Sequence, residues 1–287
     1  MLGIIGGSGL YDIDGLTQIE WVDVKSLFGK PSDKILKGKL NGVEVCFLPR
    51  HGKNHHLSPT KINYRANIDA LKRLGVSSIV SISAVGSLNE NLHPGSIVIV
   101  DQFIDRTFAR EKSFFGDGIV AHVSMADPVC ERLCNHLEKV SRKISKNVFR
   151  GGTYLVMEGP QFSSRAESQL YRSWGCDVIG MTNMPEAKLA REAEICYATL
   201  AMVTDYDCWH PDHNDVDVKE VINNLNQNIN IAQDILRDFV VEYKRHLISK
   251  CDQGCGTALE NVIMTNTSNV EENIFEPLEA ILGKKIK

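Results

Sequence analysis

The sequence predicts a single α/β domain in which helices cover both faces of a β-sheet. Short segments of almost continuous apolar character alternate along the chain with segments whose apolar residues recur every three or four positions. Continuous apolar character is typical of strands buried on both faces, and such an alternation is typical of α/β folds. No linker rich in proline, serine or charge divides the chain. We therefore predict one domain over residues 1–249 and a tail over residues 250–287 that packs on the body or on a neighbouring subunit.

The apolar pattern sets the predicted elements in chain order. Strands are predicted over residues 2–5, 43–48, 78–84, 96–103, 152–157, 177–182 and 197–204. Helices are predicted over residues 61–74, 164–174, 185–195 and 218–243, and over a segment opened by Asp127 and Pro128. Asp127 is a favourable N-cap, with a proline in the first turn behind it. Ser164 and Glu167 have the spacing of a capping box at the start of their helix.

Charge and hydropathy exclude several classes of partner. The chain carries 32 Lys and Arg residues against 36 Asp and Glu residues, which gives a net charge of −4 at pH 7. This balance does not favour binding to nucleic acid, which needs a basic face, or to an anionic membrane surface. The first basic residue is Lys25, so no charged segment precedes the apolar N-terminus, and no apolar run reaches the length of a transmembrane helix. We therefore expect a cytoplasmic protein.

Eight cysteines are spread along the chain, and we expect reduced, mostly buried thiols. Cys130 and Cys134 lie on a predicted helix, and Cys251 and Cys255 lie in a turn-like stretch of the tail. Neither pair has the two-residue separation of a zinc knuckle, so the spacing predicts no metal site. A disulfide within the tail is the alternative for the second pair.

Loops that follow predicted strands concentrate small and polar residues. A glycine-rich loop containing Ser8 follows the first strand, but Asp12 stands where a dinucleotide-binding fingerprint needs its third glycine. This loop is either a tight turn or a cradle of backbone N–H groups for a small anion. Ser83 and Ala84 end a later strand, where small residues let a ligand approach the backbone.

Two further strand ends carry ionisable side chains. Arg50 and His51 follow one apolar strand, and a planar guanidinium matches a phosphate, although a solvated basic loop would contain the same residues. Asp205 and Asp207 follow the longest apolar strand, where unpaired carboxylates are costly, so both are candidates for acid–base chemistry. Because α/β proteins bind ligands at the carboxyl ends of their strands, these loops predict a binding site.

Seven segments together resemble the trimeric purine nucleoside phosphorylase family, and within it the members that act on methylthioadenosine. The resemblance covers roughly residues 2–245, in order and without large gaps. The segments are residues 6–10, 49–52, 61–67, 101–107, 158–160, 162–168 and 204–209. The resemblance implies a central mixed β-sheet flanked by helices, and a homotrimer or a dimer of trimers.

The resemblance also implies a reaction. Orthophosphate, as co-substrate, would attack C1′ of S-methyl-5′-thioadenosine and give adenine and 5-methylthioribose 1-phosphate, without an organic cofactor or a metal. By position, the phosphate-binding residues would be Ser8, Arg50, His51, Ser83, Ala84 through its backbone, and Thr182. Ser8 and Ser83 stand where many relatives carry threonine, and both keep the hydroxyl group.

The base and the sugar are assigned in the same way. Met181 would lie under the ribose, and Phe162 with the adjacent Ser163 would pack against the base. Asp205 and Asp207 would face the purine edge. A buried Asp205 with a raised pKa would protonate the leaving purine at N7.

The 5′ group is assigned to the start of the long C-terminal helix. Val218, Val221 and Ile222 would line an apolar pocket for the methylthio group, although their spacing is equally that of ordinary core residues. His122 would cap this pocket from the adjacent subunit, so that one site borrows a residue from the next chain.

Three alternatives stay open at this stage. A phosphorylase that prefers 6-oxopurines would usually carry asparagine in place of Asp205. A hydrolytic nucleosidase would not need the anion-binding pair Arg50 and His51, and a non-catalytic nucleoside-binding protein would be expected to lack Asp205 or Arg50. The sequence departs from close relatives at Gly180, where they carry asparagine, and at Asn183, where they often carry threonine.

Overall fold

Eleven strands and six α-helices make up the described part of the chain in a computed structural model. The structure describes residues 1–7, 9–116, 118–211, 218–247, 251–266, 268 and 270–283. The strands are β1 (Leu2–Gly6), β2 (Leu16–Val22), β3 (Ile35–Leu40), β4 (Val43–Pro49), β5 (Ser78–Ser87), β6 (Ile97–Ile99), β7 (Gln102–Asp105), β8 (Val148–Arg150), β9 (Thr153–Val156), β10 (Val178–Gly180) and β11 (Cys196–Asp205). The helices are α1 (Tyr64–Arg73), α2 (Glu131–Ile144), α3 (Arg165–Ser173), α4 (Asn183–Glu192), α5 (Val218–Glu242) and α6 (Glu272–Leu282).

The strands form one mixed sheet that branches at β5. One path runs in the order β2-β3-β4-β1-β5-β10-β9-β7, and β5 also pairs with β11, which continues to β6, and β6 in turn to β8. β1, β4, β5 and β11 run parallel to one another, whereas β10 runs antiparallel to the end of β5. The carboxyl ends of the four parallel strands therefore meet at one edge. The predicted mixed sheet of an α/β protein is confirmed.

β11 lies at the centre of the core. All of its residues except Asp205 are buried, as its continuous apolar run predicts. α2, α4 and α5 pack against it, and α5 contributes Leu236, Phe239 and Val240, none of which is exposed to solvent. Within the described residues, no helix combines the length and the apolar character needed to cross a membrane.

The single strand predicted over residues 96–103 is wrong, because the chain changes branches of the sheet in the middle of it. β6 pairs with β11 and β8, whereas β7 pairs with β9. Asp101 lies between the two strands, and its carboxylate accepts a hydrogen bond of 3.0 Å from the N–H group of Gly152, just before β9. An unbroken apolar run gives no sign of such a change of partner.

The predicted start of α2 at Asp127 and Pro128 is also wrong. Cys130 is the N-cap, and Glu131 is the first helical residue. The N–H group of Cys130 donates to the carbonyl of Tyr197 at 2.7 Å, so a contact with β11 holds Cys130 itself in the extended conformation of an N-cap residue. At α3, in contrast, the capping box is present as predicted.

The tail contains a helix that its polar sequence did not predict. α6 packs against α1 and buries Leu278, Ile281 and Leu282. Ahead of α6, the tail pairs with an earlier segment: the N–H group of His122 donates to the carbonyl of Val262 at 3.0 Å. The described part of the tail thus lies against the body of its own chain. The strands β2 and β3 were not predicted either; β2, at the edge of the sheet, is largely exposed and lacks a buried apolar run.

Gly180 ends β10 against a buried tyrosine. Tyr154, in the adjacent strand β9, has no exposed surface. A Cβ atom on Gly180 would overlap the Tyr154 hydroxyl group and would lie 2.7 Å from its Cζ atom. Tyr154 therefore fills the space of a side chain at position 180, which gives a physical reason for glycine at this position.

We expect Gly180→Ala to lower the free energy of unfolding by about 1–3 kcal/mol, because the added methyl group overpacks the site. In a Tyr154→Leu background the same change should cost less, since the aromatic ring is gone. A double-mutant cycle measured by urea denaturation should give a coupling of about 1 kcal/mol. Gly116→Ala is the control, because a Cβ atom there meets nothing within 4 Å. Equal costs in the two backgrounds would contradict the steric explanation.

Candidate active site

The predicted phosphate-binding loops converge at the carboxyl edge of the parallel strands. Gly6 at the end of β1 is in register with Pro49 at the end of β4, and the N–H group of Arg50 donates to the Gly6 carbonyl at 2.9 Å. The end of β1 also lies beside the middle of β5, where Ile5 pairs with Ser81. Ser8 lies outside the described residues.

Arg50 is buried in an ion pair with Glu186 of α4. The Arg50 guanidinium donates to both carboxylate oxygens of Glu186, from Nε at 2.8 Å and from Nη2 at 2.9 Å, and the two side chains are 3% and 2% exposed. Nη1 donates to the carbonyl of Ile82 at 3.0 Å, and Nη2 also donates to Ser81. Four of the five N–H groups of the guanidinium are engaged in this way, and the second Nη1 N–H group has no partner among the residues that the structure describes.

The sequence did not predict the partners of Arg50. The hydroxyl groups of Ser81 and Tyr197 donate to Oε1 of Glu186 at 2.7 and 2.8 Å. Asn183 donates to the Ser81 hydroxyl at 3.0 Å. Glu186 lies in the first turn of a helix, where the sequence gives no reason to expect more than a favourable interaction with the helix dipole.

His51 is neutral at pH 7. Its Nδ1 atom lies 2.9 Å from the carbonyl of Leu57 and therefore carries the proton, which leaves Nε2 as an acceptor. Burial lowers the pKa of His51 to about 4, and the nearby charge of Arg50 adds to this effect. The ring stacks on His55 with 4.1 Å between centroids.

Three hydroxyl groups meet beside the middle of β5, which continues past Ser83 and Ala84 to Ser87, so the prediction that these two residues end a strand is wrong. The Oγ atom of Ser83 lies 3.4 Å from Oγ1 of Thr182 and 3.0 Å from the phenol oxygen of Tyr154. All three side chains are buried, whereas Ala84 is exposed between buried neighbours, so the chain opens to solvent at this point. The structure thus brings Ser83 and Thr182 together as the sequence suggested and adds Tyr154, for which the sequence contained no signal.

Asp205 ends β11 beside Gly86 of β5, near the point where the sheet branches, and Asp207 follows it in the chain. The carboxylate of Asp205 accepts from the Thr204 hydroxyl group at 2.7 Å and from the N–H group of Asp207 at 2.8 Å. Gly86 of β5 lies directly opposite: a Cβ atom there would be 2.9 Å from Oδ1 of Asp205. Only a residue without a side chain leaves room for this carboxylate.

Asp207 differs from Asp205 in burial. It is 5% exposed, and its Oδ2 atom has no hydrogen-bond partner within the described residues. Burial raises the pKa of Asp207, and the charge of Asp205 raises it further. The sequence prediction placed the proton donor at Asp205; the raised pKa of Asp207 makes that residue a second candidate for the role. The chain turns at Asp207 with a φ of 53°, and its side chain is buried.

The segment before α3 packs over this pair. The Cys208 thiol donates to the carbonyl of Ser163 at 3.3 Å, and Nη1 of Arg165 donates to the carbonyl of Cys208 at 2.7 Å. These bonds bring Ser163 to the segment that carries the two carboxylates. Phe162 is 46% exposed, so one face of its ring is open to a ligand.

The backbone of Met181 accepts a hydrogen bond from a second buried ion pair. Arg110, with a side chain 1% exposed, donates to Glu158 at 3.0 Å and to the carbonyl of Met181 at 2.7 Å. Burial would raise the pKa of Glu158, but hydrogen bonds from Thr60, from two backbone N–H groups and from Arg110 outweigh it and lower the pKa to about 2. The sequence did not single out Arg110, since no spacing rule connects it with residue 158.

The start of α5 lies over the end of β11. Asn224 and Asn228 donate from their side chains to the carbonyls of Thr204 and Val203, at 2.7 and 3.2 Å. Val221 precedes Asn224 by almost one turn and is half-buried, and Ile222 is 49% exposed. The side chain of Val218 lies outside the described residues. His122 is exposed beside the tail, and no described contact brings it to these strand ends.

Comparisons with known proteins agree with this architecture. A family model described as the phosphorylase superfamily matches residues 1–241. The chain is 55% identical over 289 residues to the S-methyl-5′-thioadenosine phosphorylase of Cereibacter sphaeroides, covering 100% of this chain and 99% of the relative. It is 57% identical over 284 residues to the protein of the same name from Rhodospirillum rubrum, covering 99% and 96%.

Solved structures lead to the same family. The crystal structure of a methylthioadenosine phosphorylase from an antarctic soil metagenomic library superimposes with a TM-score of 0.92 at 48% identity and covers 98% of both chains. Methylthioadenosine phosphorylase from Schistosoma mansoni, in complex with adenine, superimposes with a TM-score of 0.81 at 35% identity, covering 88% of this chain and 94% of that one. The family resemblance found in the sequence is confirmed, and the chain belongs to the phosphorylase superfamily.

Proposed function

We propose that this protein cleaves S-methyl-5′-thioadenosine with orthophosphate and releases adenine and 5-methylthioribose 1-phosphate. The observation that carries the proposal is the cluster of Ser83, Thr182, Arg50 and neutral His51 at one edge of the sheet, beside two carboxylates. The names of relatives that share about half of their residues with this chain support the same substrate.

Orthophosphate is assigned to the hydroxyl end of this cluster. The hydroxyl groups of Ser83 and Thr182, the backbone at Ala84 and the remaining N–H group of Arg50 supply donors to phosphate oxygens. A hydrogen phosphate dianion also carries one hydroxyl group, and the Nε2 acceptor of His51 suits it. Ser8 completes the assignment by its position after β1. Hydrolysis by water would not need this set of donors.

The chemistry follows from where charge develops. As the bond between C1′ and N9 breaks, positive charge grows on the ribose, and the phosphate dianion stabilises it before forming the new C1′–O bond. The electron pair of the broken bond goes to the purine, which needs a proton at N7. Asp207, with its raised pKa, is the candidate donor of that proton. Met181 lies under the ribose in this arrangement, and the reaction needs no organic cofactor.

The Asp205 carboxylate at the purine edge favours adenine over hypoxanthine. The amino group at C6 of adenine donates to a carboxylate, whereas the carbonyl of hypoxanthine meets it with like partial charge. A site built on a buried polar pair rejects the mismatched partner, because one group is left unpaired. Phe162 and Ser163 are assigned to the face of the base. This argument disfavours a 6-oxopurine phosphorylase.

A homotrimer, which could stack into a dimer of trimers, is part of the proposal. His122 is exposed, and the segment that carries it pairs with the tail, where Met264 donates to the carbonyl of Val120 at 2.8 Å. Val120 and Met264 are themselves 42% and 69% exposed, an apolar edge that a neighbouring subunit would cover. His122 would then reach the 5′ pocket of that neighbour.

We expect adenine release from methylthioadenosine to require orthophosphate, and Ser83→Ala to raise the KM for phosphate about tenfold or more. The reason is the loss of a hydrogen bond to a charged group, worth about 1.5–3 kcal/mol. Initial rates at varied phosphate measure the effect, and the KM for the nucleoside should change less. Ser78→Ala, at a buried serine that begins β5, is the matched control. Adenine release at the full rate without phosphate would contradict the proposal.

Asp207→Asn is expected to lower kcat about a hundredfold, the scale of losing a general acid. The wild-type rate should fall as the pH rises through the raised pKa of Asp207, because the acid must be protonated to donate. This high-pH decline should disappear in Asp207→Asn.

Asp205→Asn is the matched comparison for Asp207. It should keep the high-pH decline but narrow the preference for methylthioadenosine over methylthioinosine, because its amide can donate to a carbonyl. If the rate of Asp207→Asn still declines at high pH and the rate of Asp205→Asn does not, Asp205 is the proton donor.

Val221→Thr keeps the shape of the side chain and replaces a methyl with a hydroxyl group. If Val221 contacts the 5′ group, the ratio of kcat/KM for methylthioadenosine to that for adenosine should fall about fivefold, equivalent to about 1 kcal/mol. Gln227→Ala, at an exposed position of the same helix, should leave the ratio unchanged. If the ratio of the two kcat/KM values is unchanged in Val221→Thr, Val221 is an ordinary core residue that does not contact the 5′ group.

A further inference from the structure

Four cysteine thiols gather at the end of the molecule opposite the candidate active site. The sulfur atoms of Cys130, Cys196, Cys251 and Cys255 all lie within 4.8 Å of one another, and those of Cys130 and Cys251 are 3.9 Å apart. Cys196 begins β11 and Asp205 ends it, a separation of about 30 Å along an extended strand. The cluster therefore takes no part in the chemistry proposed above.

Three separate parts of the chain build this cluster. Cys130 caps α2, and its N–H group is bound to the carbonyl of Tyr197, the residue after Cys196. The tail turns at Gly254, with a φ of 75°, so that Cys251 and Cys255 face the same point. The side chain of Gln253 holds this turn in place by accepting a hydrogen bond of 3.0 Å from the N–H group of Arg132.

The donor set is that of a closed zinc site. Tetrahedral zinc has Zn–S distances of about 2.3 Å, which places the sulfur atoms about 3.8 Å apart. The observed separations reach this arrangement when the sulfur atoms move together by about 1 Å or less. Four thiolates and no oxygen ligand select a soft cation such as Zn²⁺ over Mg²⁺ or Ca²⁺.

The surroundings suit thiolate ligands. Nη1 of Arg191 lies 3.8 Å from the sulfur atom of Cys255 and offsets negative charge. The N-terminus of α2 adds positive potential at Cys130. Three of the cysteines are buried, and Cys251 is half-buried, which gives an ion a way in.

We propose that Cys130, Cys196, Cys251 and Cys255 bind one Zn²⁺ ion in a structural site. With four protein ligands, the ion has no open position for a substrate. Its effect is to fasten the tail to α2 and β11. The tail then continues to Val262, which pairs with the segment of His122, so the ion also positions that segment. The sequence spacing did not indicate the site, because Cys134 is not a ligand and Cys196 comes from a different element.

The full-length chain, purified under reducing conditions and passed over a column that strips loosely bound metal, should retain about one zinc per chain by elemental analysis. Replacement of zinc by Co²⁺ should produce the thiolate-to-cobalt charge-transfer absorption and the intense visible bands of tetrahedral thiolate coordination. Removal of the ion with a strong chelator should lower the Tm. Cys251→Ser, at the half-buried position, should lose most of the zinc, and Cys176→Ser, a buried cysteine outside the cluster, should retain it.

Two results would overturn the proposal. One is a reduced, folded wild-type chain that neither retains zinc nor gives the cobalt spectrum. The other is an intact mass that lacks two hydrogens for each of two disulfides within the cluster in a chain purified without reductant, together with no zinc uptake after reduction. Phosphate-dependent adenine release is measured on the same samples. This assay tests the proposed function independently of zinc binding.

Discussion

The buried ion pair between Arg50 and Glu186 is the interaction on which the rest of the site depends. It joins the loop after β4 to α4, and the Ser81 and Tyr197 hydroxyl groups extend it to β5 and β11. Removing one partner would leave the other charge buried without compensation, at a cost of about 3–5 kcal/mol. Arg50 therefore has two roles, since the guanidinium that offers an N–H group to an anion also holds four elements in register. Its replacement by alanine would combine loss of anion binding with loss of stability, and smaller hydroxyl-bearing residues such as Ser83 give a cleaner view of the anion.

Much of the fold and part of the site could be predicted from the sequence because they depend on local pattern. Continuous apolar runs predicted β1, β4, β5 and β11, and parallel strands bring their carboxyl ends together, so the pairing of Gly6 with Pro49 beside Arg50 follows from fold class alone. The contact between Ser83 and Thr182 does not, because Thr182 follows β10, which runs antiparallel to β5. What could not be predicted depends on contacts between distant residues. Tyr154 enters the site only because Gly180 leaves room for it. The break between β6 and β7 comes from Asp101 binding a residue fifty-one positions later. Likewise, Asp205 and Asp207, with one residue between them, differ in burial because the chain turns at Asp207. No sequence pattern specifies the φ angle of that turn.

The two ends of β11 show how one element serves two purposes. Its carboxyl end carries Asp205 opposite a glycine of β5, and its amino end carries Cys196 among three other thiols. Between them lies a fully buried apolar strand, which α2, α4 and α5 cover. This buried strand separates the two ends by about 30 Å, so each end can be tested without altering the other.

The pairing of the tail with residues near position 122 sets an order for folding. Leu259 donates to Glu194 at 3.0 Å, and Val262 and Met264 pair with a segment about 140 residues earlier in the chain. Contacts of such long sequence separation form late, because the chain must first lose the entropy of closing the intervening loop. The surface that includes His122 is therefore completed late in folding, after the body of the domain has formed.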